Sequence, residues 1–200
     1  MYADAIFLNY FLFCSTRFGK GPHYVKFVIK LPPSESDSKH NETLFFVIEL
    51  SSRKELPHST YTFLTLVESN LYNDGAAFLS ARDDDGLVIA SSHSPGTISL
   101  EQKLKPLGLT GGSSLSFVET SNSDKHFPCD EHSLGFIERG PGLYLFLPGR
   151  DDHDRIYVDN KTGCFAQVIR GHDNLQKIQT LLIENGEPME IISVKHLRVD

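Results

Sequence analysis

The chain has 200 residues, of which 40% are hydrophobic and 22% charged, and its formal net charge at pH 7 is −7. This length and composition suit a single globular domain with one large core. The acidic balance and the lack of any run of Lys or Arg argue against a nucleic-acid partner, because phosphate contacts need clustered cations.

The N-terminal apolar run Ala5–Cys14 is ten residues long and is interrupted by Asn9. It is too short to span a membrane, and Asp4 stands where a signal peptide carries positive charge. We therefore predict an N-terminal extension over residues 1–20, which is either the remnant of an anchor or signal, or a disordered tail or extra strand. A separate domain is predicted over residues 21–200, with membrane attachment only if an anchor lies upstream.

The three cysteines, Cys14, Cys129 and Cys164, match neither a disulfide framework nor a zinc spacing. One bridge, Cys129–Cys164, can form but does not follow from the sequence. Asn41 and Asn160 begin Asn-x-Thr sequons, which are glycosylated only in a secretory compartment. With the apolar N-terminal run, these features favour the secretory-pathway lumen or a membrane anchor over the cytoplasm.

No metal site or cofactor is predicted. The acidic turn Asp83–Gly86 lacks the alternating ligands of an EF-hand loop. The segment Thr110–Leu115 is rich in glycine, but it lacks the lysine and the spacing of a P-loop. The chain is expected to be a monomer.

The first predicted elements are two strands and a helix. Tyr24–Leu31 alternates apolar and polar residues, which indicates a strand with one wet face, and Leu44–Leu50 reads as its hairpin partner across a long polar loop. A helix is predicted over Leu56–Asn70, because Pro57 suits a first helical turn and an apolar stripe of helical period follows.

Two short apolar runs, Ala76–Ala81 and Leu87–Ala90, flank an acidic turn that ends in Asp-Gly, which is a strong hairpin signal. We predict a central pair of strands here. Ser91–Asp130 is rich in Gly, Ser, Pro and charge and is expected to be an extended loop region, with a short helix or turn over Ile98–Leu107.

The second half contains further strand-like segments and one more helix. The predicted helix is Asn174–Ile183, with Asp173 as its N-cap. The predicted strands are Ser133–Ile137, Leu143–Leu147, Arg155–Val158, Cys164–Ile169 and Glu190–Val199. Eight or nine strands and two helices without βαβ alternation predict a mostly β closed barrel or sandwich, with helices covering its ends.

Several motifs and their order resemble those of the cyclophilins, over about Gly21 to Val199. The matching segments are Pro57–Leu66, Tyr72–Phe78, Thr110-Gly111-Gly112, Phe127-Pro128, Gly140-Pro141 and Cys164–Asp173. This resemblance implies a closed eight-stranded antiparallel β-barrel capped by two α-helices. It also implies binding of protein or peptide segments and catalysis of prolyl cis–trans isomerisation.

The resemblance does not extend to the catalytic side chains. Cyclophilins polarise the prolyl amide with an arginine, which is electrostatic stabilisation by a preplaced donor. Ser80 falls on that arginine, Ala90 on the family's glutamine and Glu138 on its asparagine, while its tryptophan and groove histidine have no match. The peptide groove, by position, comprises Phe78, Ser80, Leu87, Val88, Ala90, Glu138 and Leu145.

Three functional hypotheses follow from the resemblance. The first is a divergent cyclophilin-type domain, a pseudoenzyme that binds extended or proline-containing segments with weak or no isomerase activity. The second is an active isomerase that uses Arg82, because this residue lies two positions beyond Ser80 and would share its face if the strand continued. The third is a scaffold or ectodomain whose groove is vestigial.

Overall fold

A computed structural model describes most of the domain. The described residues are 16–31, 42–52, 55–73, 76–80, 86–91, 104–107, 129–137, 141–147, 163–185 and 188–198, with 78–80, 86–91, 105 and 185 described by their backbone alone. The sequence-predicted strand Arg155–Val158 and most of the loop region Ser91–Asp130 lie outside them.

Eight strands in the described part of the chain form a closed antiparallel barrel in the order β1-β2-β7-β5-β6-β4-β3-β8. The predicted fold class is therefore confirmed. The strands are β1 (Tyr24–Lys30), β2 (Thr43–Leu50), β3 (Ala76–Ser80), β4 (Gly86–Ser91), β5 (Ser133–Phe136), β6 (Leu143–Phe146), β7 (Cys164–Arg170) and β8 (Met189–Leu197).

The barrel closes because β1 pairs on both sides. It forms the predicted hairpin with β2, from Tyr24 opposite Glu49 to Lys30 opposite Thr43, and it also pairs with β8. Every second residue of β1 is apolar and fully buried, so the alternation seen in the sequence points one face of this strand into the core. The inward residues are Val25, Phe27 and Ile29.

Among the described residues, two helices of more than ten residues pack on the barrel. Helix α1 (Pro57–Glu68) begins with its proline in the first turn and is buried on most sides, including its Ser and Thr residues. Helix α2 (His172–Asn185) begins two residues earlier than predicted, so Asp173 lies in the first turn rather than at the cap. An acidic side chain there is still favourable, because the N-terminal end of a helix carries partial positive charge.

Aromatic rings fill the centre of the core. Phe63 of α1 is fully buried, and its ring centroid lies 5.0 Å from that of Phe165 on β7. Phe165 in turn lies 4.5 Å from Phe136 on β5. One helix and two strands are thus joined by ring contacts, which contribute beyond the area that they bury.

The segment before β1 packs on the barrel. Residues 16–18 are helical, and Phe18 is buried in the core with its ring against Tyr61 of α1. Phe18 lies on the N-terminal side of the domain boundary predicted at residue 21, and that boundary stays a prediction. None of the helices in the described residues is long and apolar enough to cross a membrane.

Cys129 and Cys164 form a disulfide, with their Cα atoms 5.4 Å apart. It joins the segment just before β5 to the first residue of β7, the strand that pairs with β5. The sequence left this bridge open, because three cysteines allow more than one pairing.

Gly171, between β7 and α2, is held against the backbone of β2. Its φ is +88°, and a Cβ atom added there would lie 2.5 Å from the carbonyl oxygen of Phe45. We expect Gly171→Ala to lower the free energy of unfolding by about 2–3 kcal/mol, because the left-handed backbone and the close contact both disfavour a side chain. Urea denaturation followed by circular dichroism measures this change.

The matched control is Gly19→Ala. Gly19 has nearly the same φ, +89°, but has no atom within 4 Å of an added Cβ. This variant is expected to lose only the conformational part, about 1 kcal/mol. Equal losses in the two variants would show that the contact with Phe45 does not constrain position 171.

Candidate functional site

Alternate side chains of strand β6 lie in different environments. Leu143 and Leu145 are fully buried in the core, whereas the alternate residue Tyr144 is half-buried. Its ring lies 4.9 Å from that of Phe146 in an edge-to-face arrangement. Phe146 is buried but is not part of the continuous core cluster. Tyr144 and Phe146 therefore mark the side of the sheet opposite the core.

The register extends this face across neighbouring strands. Leu79 pairs with Val88, Val88 with Tyr144, and Tyr144 with Gly135, so these four residues form one row across β3, β4, β6 and β5. Directly opposed residues of antiparallel strands share a face of the sheet. We call this face of the sheet the outer face. It also includes the rows that lie two residues away along the same strands.

The flanking rows of the outer face are Ala77 opposite Ala90 and Gly86 opposite Phe146. All three rows consist of glycine, alanine, larger aliphatic and aromatic residues. On these strands Tyr144 supplies the one polar side-chain atom of the three rows, its phenol oxygen, while the row of Ala77 continues on β8 with the exposed residue Glu190. The outer face is therefore apolar across the strands that correspond to the predicted groove.

The described residues of the predicted groove do not all belong to rows of the same face of the sheet. Val88 and Ala90 belong to rows of the outer face, while Ser80 pairs with Leu87, and Leu87 pairs with Leu145, which is fully buried in the core. Phe78 occupies the same parity as Ser80. The groove assignment of these residues stays a prediction, but the row of Tyr144 contains Leu79 rather than Ser80.

Sequence reasoning missed Tyr144 and Phe146 as outer-face residues. The signal was the alternation of Leu143-Tyr144-Leu145-Phe146-Leu147, in which aliphatic and aromatic residues take turns. A period of two places these sets on opposite faces of a strand. The alignment with the family motif assigned the segment by similarity and overlooked this alternation.

The connection between β5 and β6 is anchored by Tyr72, which lies between α1 and β3. The Tyr72 hydroxyl donates a hydrogen bond of 2.8 Å to the carbonyl oxygen of Pro141, and both are buried. Burial raises the pKa of Tyr72 well above its ordinary value. The phenol therefore stays protonated and keeps its donor role. At the end of β5, the Ile137 amide donates to the Gly142 carbonyl at 2.9 Å.

Several predicted residues lie outside the described part of the chain. These are Arg82, Glu138, Asn41 and Asn160. Within the described residues, no group of three or more His, Cys, Asp or Glu side chains is arranged to hold a metal ion. The hypotheses on a displaced arginine and on glycosylation stay predictions.

The closed eight-stranded barrel with its two helices defines a cyclophilin-like fold. Among solved structures, the chain is similar to the Mimivirus cyclophilin, with a TM-score of 0.57 and 18% sequence identity over 89% of this chain and 91% of that chain. At this identity the likeness shows the fold alone. Searches against protein-family profiles and curated proteins find no match.

Proposed function

We propose that this cyclophilin-type domain binds extended protein segments, including proline-containing ones, on its outer face, and that it accelerates prolyl isomerisation weakly or not at all. The observation that carries the proposal is the row Leu79–Val88–Tyr144–Gly135. None of the four residues in this row, each on a different strand, has a cationic or an amide side chain. No cofactor is required for either binding or isomerisation of this kind.

The residue types in this row are the reason why we expect weak catalysis or none. Rotation about a prolyl peptide bond crosses a barrier of roughly 20 kcal/mol, and an enzyme lowers it with donors already aimed at the developing charge. Leucine and valine offer no such donor, and Ser80 and Ala90, at the positions of the family's arginine and glutamine, do not replace a guanidinium or an amide.

The same row supports binding. An aromatic side chain that is only half-buried, beside small and aliphatic neighbours, offers a surface on which a proline ring or another apolar side chain can pack. Aromatic residues of this kind are the usual energetic anchors of protein recognition. Tyr144 is therefore the residue on which binding should depend most.

Binding is tested with a set of proline-containing peptides in an NMR titration. We expect the Tyr144 resonances to shift, and Tyr144→Ala to weaken binding about tenfold because an aromatic anchor is lost. The matched control is Phe45→Ala, which removes an exposed aromatic residue from β2, away from the outer face. If no peptide in the set shifts the Tyr144 resonances, the binding proposal fails and the hypothesis of a vestigial groove is favoured.

Catalysis is tested in a protease-coupled assay on the same peptides. We expect rates close to the uncatalysed isomerisation, which takes tens to hundreds of seconds. A large acceleration that disappears in Arg82→Ala would contradict the proposal and establish an isomerase with a displaced arginine.

A further inference from the structure

A pocket opens at the end of the barrel where β1 begins and β8 ends. Its volume is about 380 Å³, and residues 17–23 and 196–198 line it. This volume is in the range of small-molecule sites. Along β8, the pocket residue His196 lies six positions beyond Glu190, the last residue paired with β3. Six strand residues span roughly 20 Å, so the pocket is remote from the outer face.

The lining of the pocket is basic, although the chain as a whole carries a net charge of −7. Arg17, Lys20 and Arg198 supply three cations. One of them is partly balanced, since Nε and Nη2 of Arg17 lie 3.1 and 3.0 Å from the same carboxylate oxygen of Glu68. This pair uses two of the five guanidinium N–H groups and fixes the side chain at the pocket wall.

Two histidines complete the polar lining. Nδ1 of His23 and Nε2 of His196 lie 3.2 Å apart, so one nitrogen donates to the other. Burial and the neighbouring Arg198 lower the pKa of His196, while Glu68 raises it. Burial, and to a smaller extent Arg198, therefore favours the neutral imidazole of His196, and a bound anion would offset the effect of Arg198.

Apolar side chains line the remainder of the pocket, namely Phe18, Pro22 and Leu197. The ring of Phe18 packs edge-on against His196, with centroids 6.1 Å apart, and the Arg17 guanidinium lies 5.1 Å from its centre. The pocket thus combines cationic donors with an apolar wall.

We propose that this pocket binds the phosphate group of a small organic phosphate. Guanidinium groups match the oxygens of phosphate with paired N–H donors, and such charge-assisted bonds are the strong ones. The pocket is larger than one phosphate group needs, and its apolar wall offers a place for the organic part. The site does not depend on the outer face or on its proposed function.

The test titrates the full chain with phenyl phosphate by isothermal calorimetry, with inorganic phosphate and phenol as comparison ligands. We expect saturable binding of phenyl phosphate, weaker binding of inorganic phosphate and none of phenol at millimolar concentrations. Inorganic phosphate binding as tightly as phenyl phosphate would overturn the assignment to an organic phosphate. Absence of binding by both anions would overturn the site.

Arg198→Gln is the decisive variant, because this exposed residue lies just beyond β8 and its loss should leave the fold intact. We expect binding about tenfold weaker, as for the loss of one charge-assisted hydrogen bond. The matched control is Lys195→Gln, an equal charge change on an exposed residue of β8 that does not line the pocket. Equal weakening in both variants would show general attraction to surface charge and would refute the site.

A second readout follows His196 by NMR. A bound anion opposes the effect of Arg198 and favours the protonated imidazole, so phenyl phosphate is expected to raise the pKa of His196. The other charged or titratable groups that line the pocket or pair with its lining are His23, Arg17, Lys20 and Glu68. An unchanged titration of His196 with ligand bound would contradict binding in this pocket.

Discussion

Replacing the Cys129–Cys164 disulfide by two serines is expected to lower the free energy of unfolding by about 4 kcal/mol. The bridge spans a sequence separation of 35 and joins neighbouring parts of the barrel wall, next to β5 and on β7. By the chain-entropy model, opening a loop of this length releases conformational freedom mainly in the unfolded chain. Urea denaturation, followed by circular dichroism because the chain has no tryptophan, measures the loss.

Cys14→Ser is the matched control, since it makes the same chemical change at the third cysteine and leaves the bridge in place. We expect the control to retain its denaturation midpoint and the double variant to lose a large part of it. A double variant as stable as the control would mean that the bridge adds nothing to the stability of the barrel.

The disulfide also bears on the compartment. Such bonds persist in oxidising environments and are rare in reducing ones. The prediction from Asn41, Asn160 and the N-terminal apolar run, which favours the secretory-pathway lumen or a membrane anchor over the cytoplasm, also calls for an oxidising environment. That preference stays a prediction, which a glycosidase-sensitive mass shift in protein from secreting cells would test.

Phe63→Ala is expected to cost about 3–5 kcal/mol, because it leaves a cavity among the largest side chains of the core. The Phe63 ring is fully buried and lies 5.0 Å from Phe165, 6.0 Å from Tyr72 and 6.4 Å from Phe136 between centroids. Tyr72 anchors Pro141 and Phe136 belongs to β5, so the loss should also loosen the β5–β6 connection beside Tyr144. Denaturation gives the cost, and the Tyr144 resonances report the loosening.

Phe45→Ala serves as the control for this substitution, because the Phe45 side chain is 43% exposed and should cost less than about 1 kcal/mol. Similar losses in the two variants would show that the centre of the core repacks around the missing ring.

Much of the barrel could be predicted from local patterns. Alternation in Tyr24–Leu31 identified the buried face of β1, and the proline at position 57 marked the start of α1 to within one residue. The near-complete burial of α1 could not be predicted in this way. Ser59, Thr60 and Thr62 are polar by type, and only packing from several sides covers them.

The candidate site depended on register, which the sequence does not specify. Whether Leu79 or Ser80 stands opposite Val88 depends on the geometry of the β3–β4 turn, and a slip of one residue exchanges the two faces of a strand. The basic pocket could not be predicted from the sequence for a different reason. His23 and His196 are 173 positions apart, and only the pairing of β1 with β8 brings them together.

Closure of the barrel restricts how a partner can bind. Each of the eight described strands has a hydrogen-bonded neighbour on both sides, because β8 returns to β1. Within the described residues, the sheet has no free edge to which a peptide could add a strand. The described strands therefore offer a bound segment their side chains, and not an edge that its main chain could extend. The same closure protects the barrel from edge-to-edge aggregation with other copies.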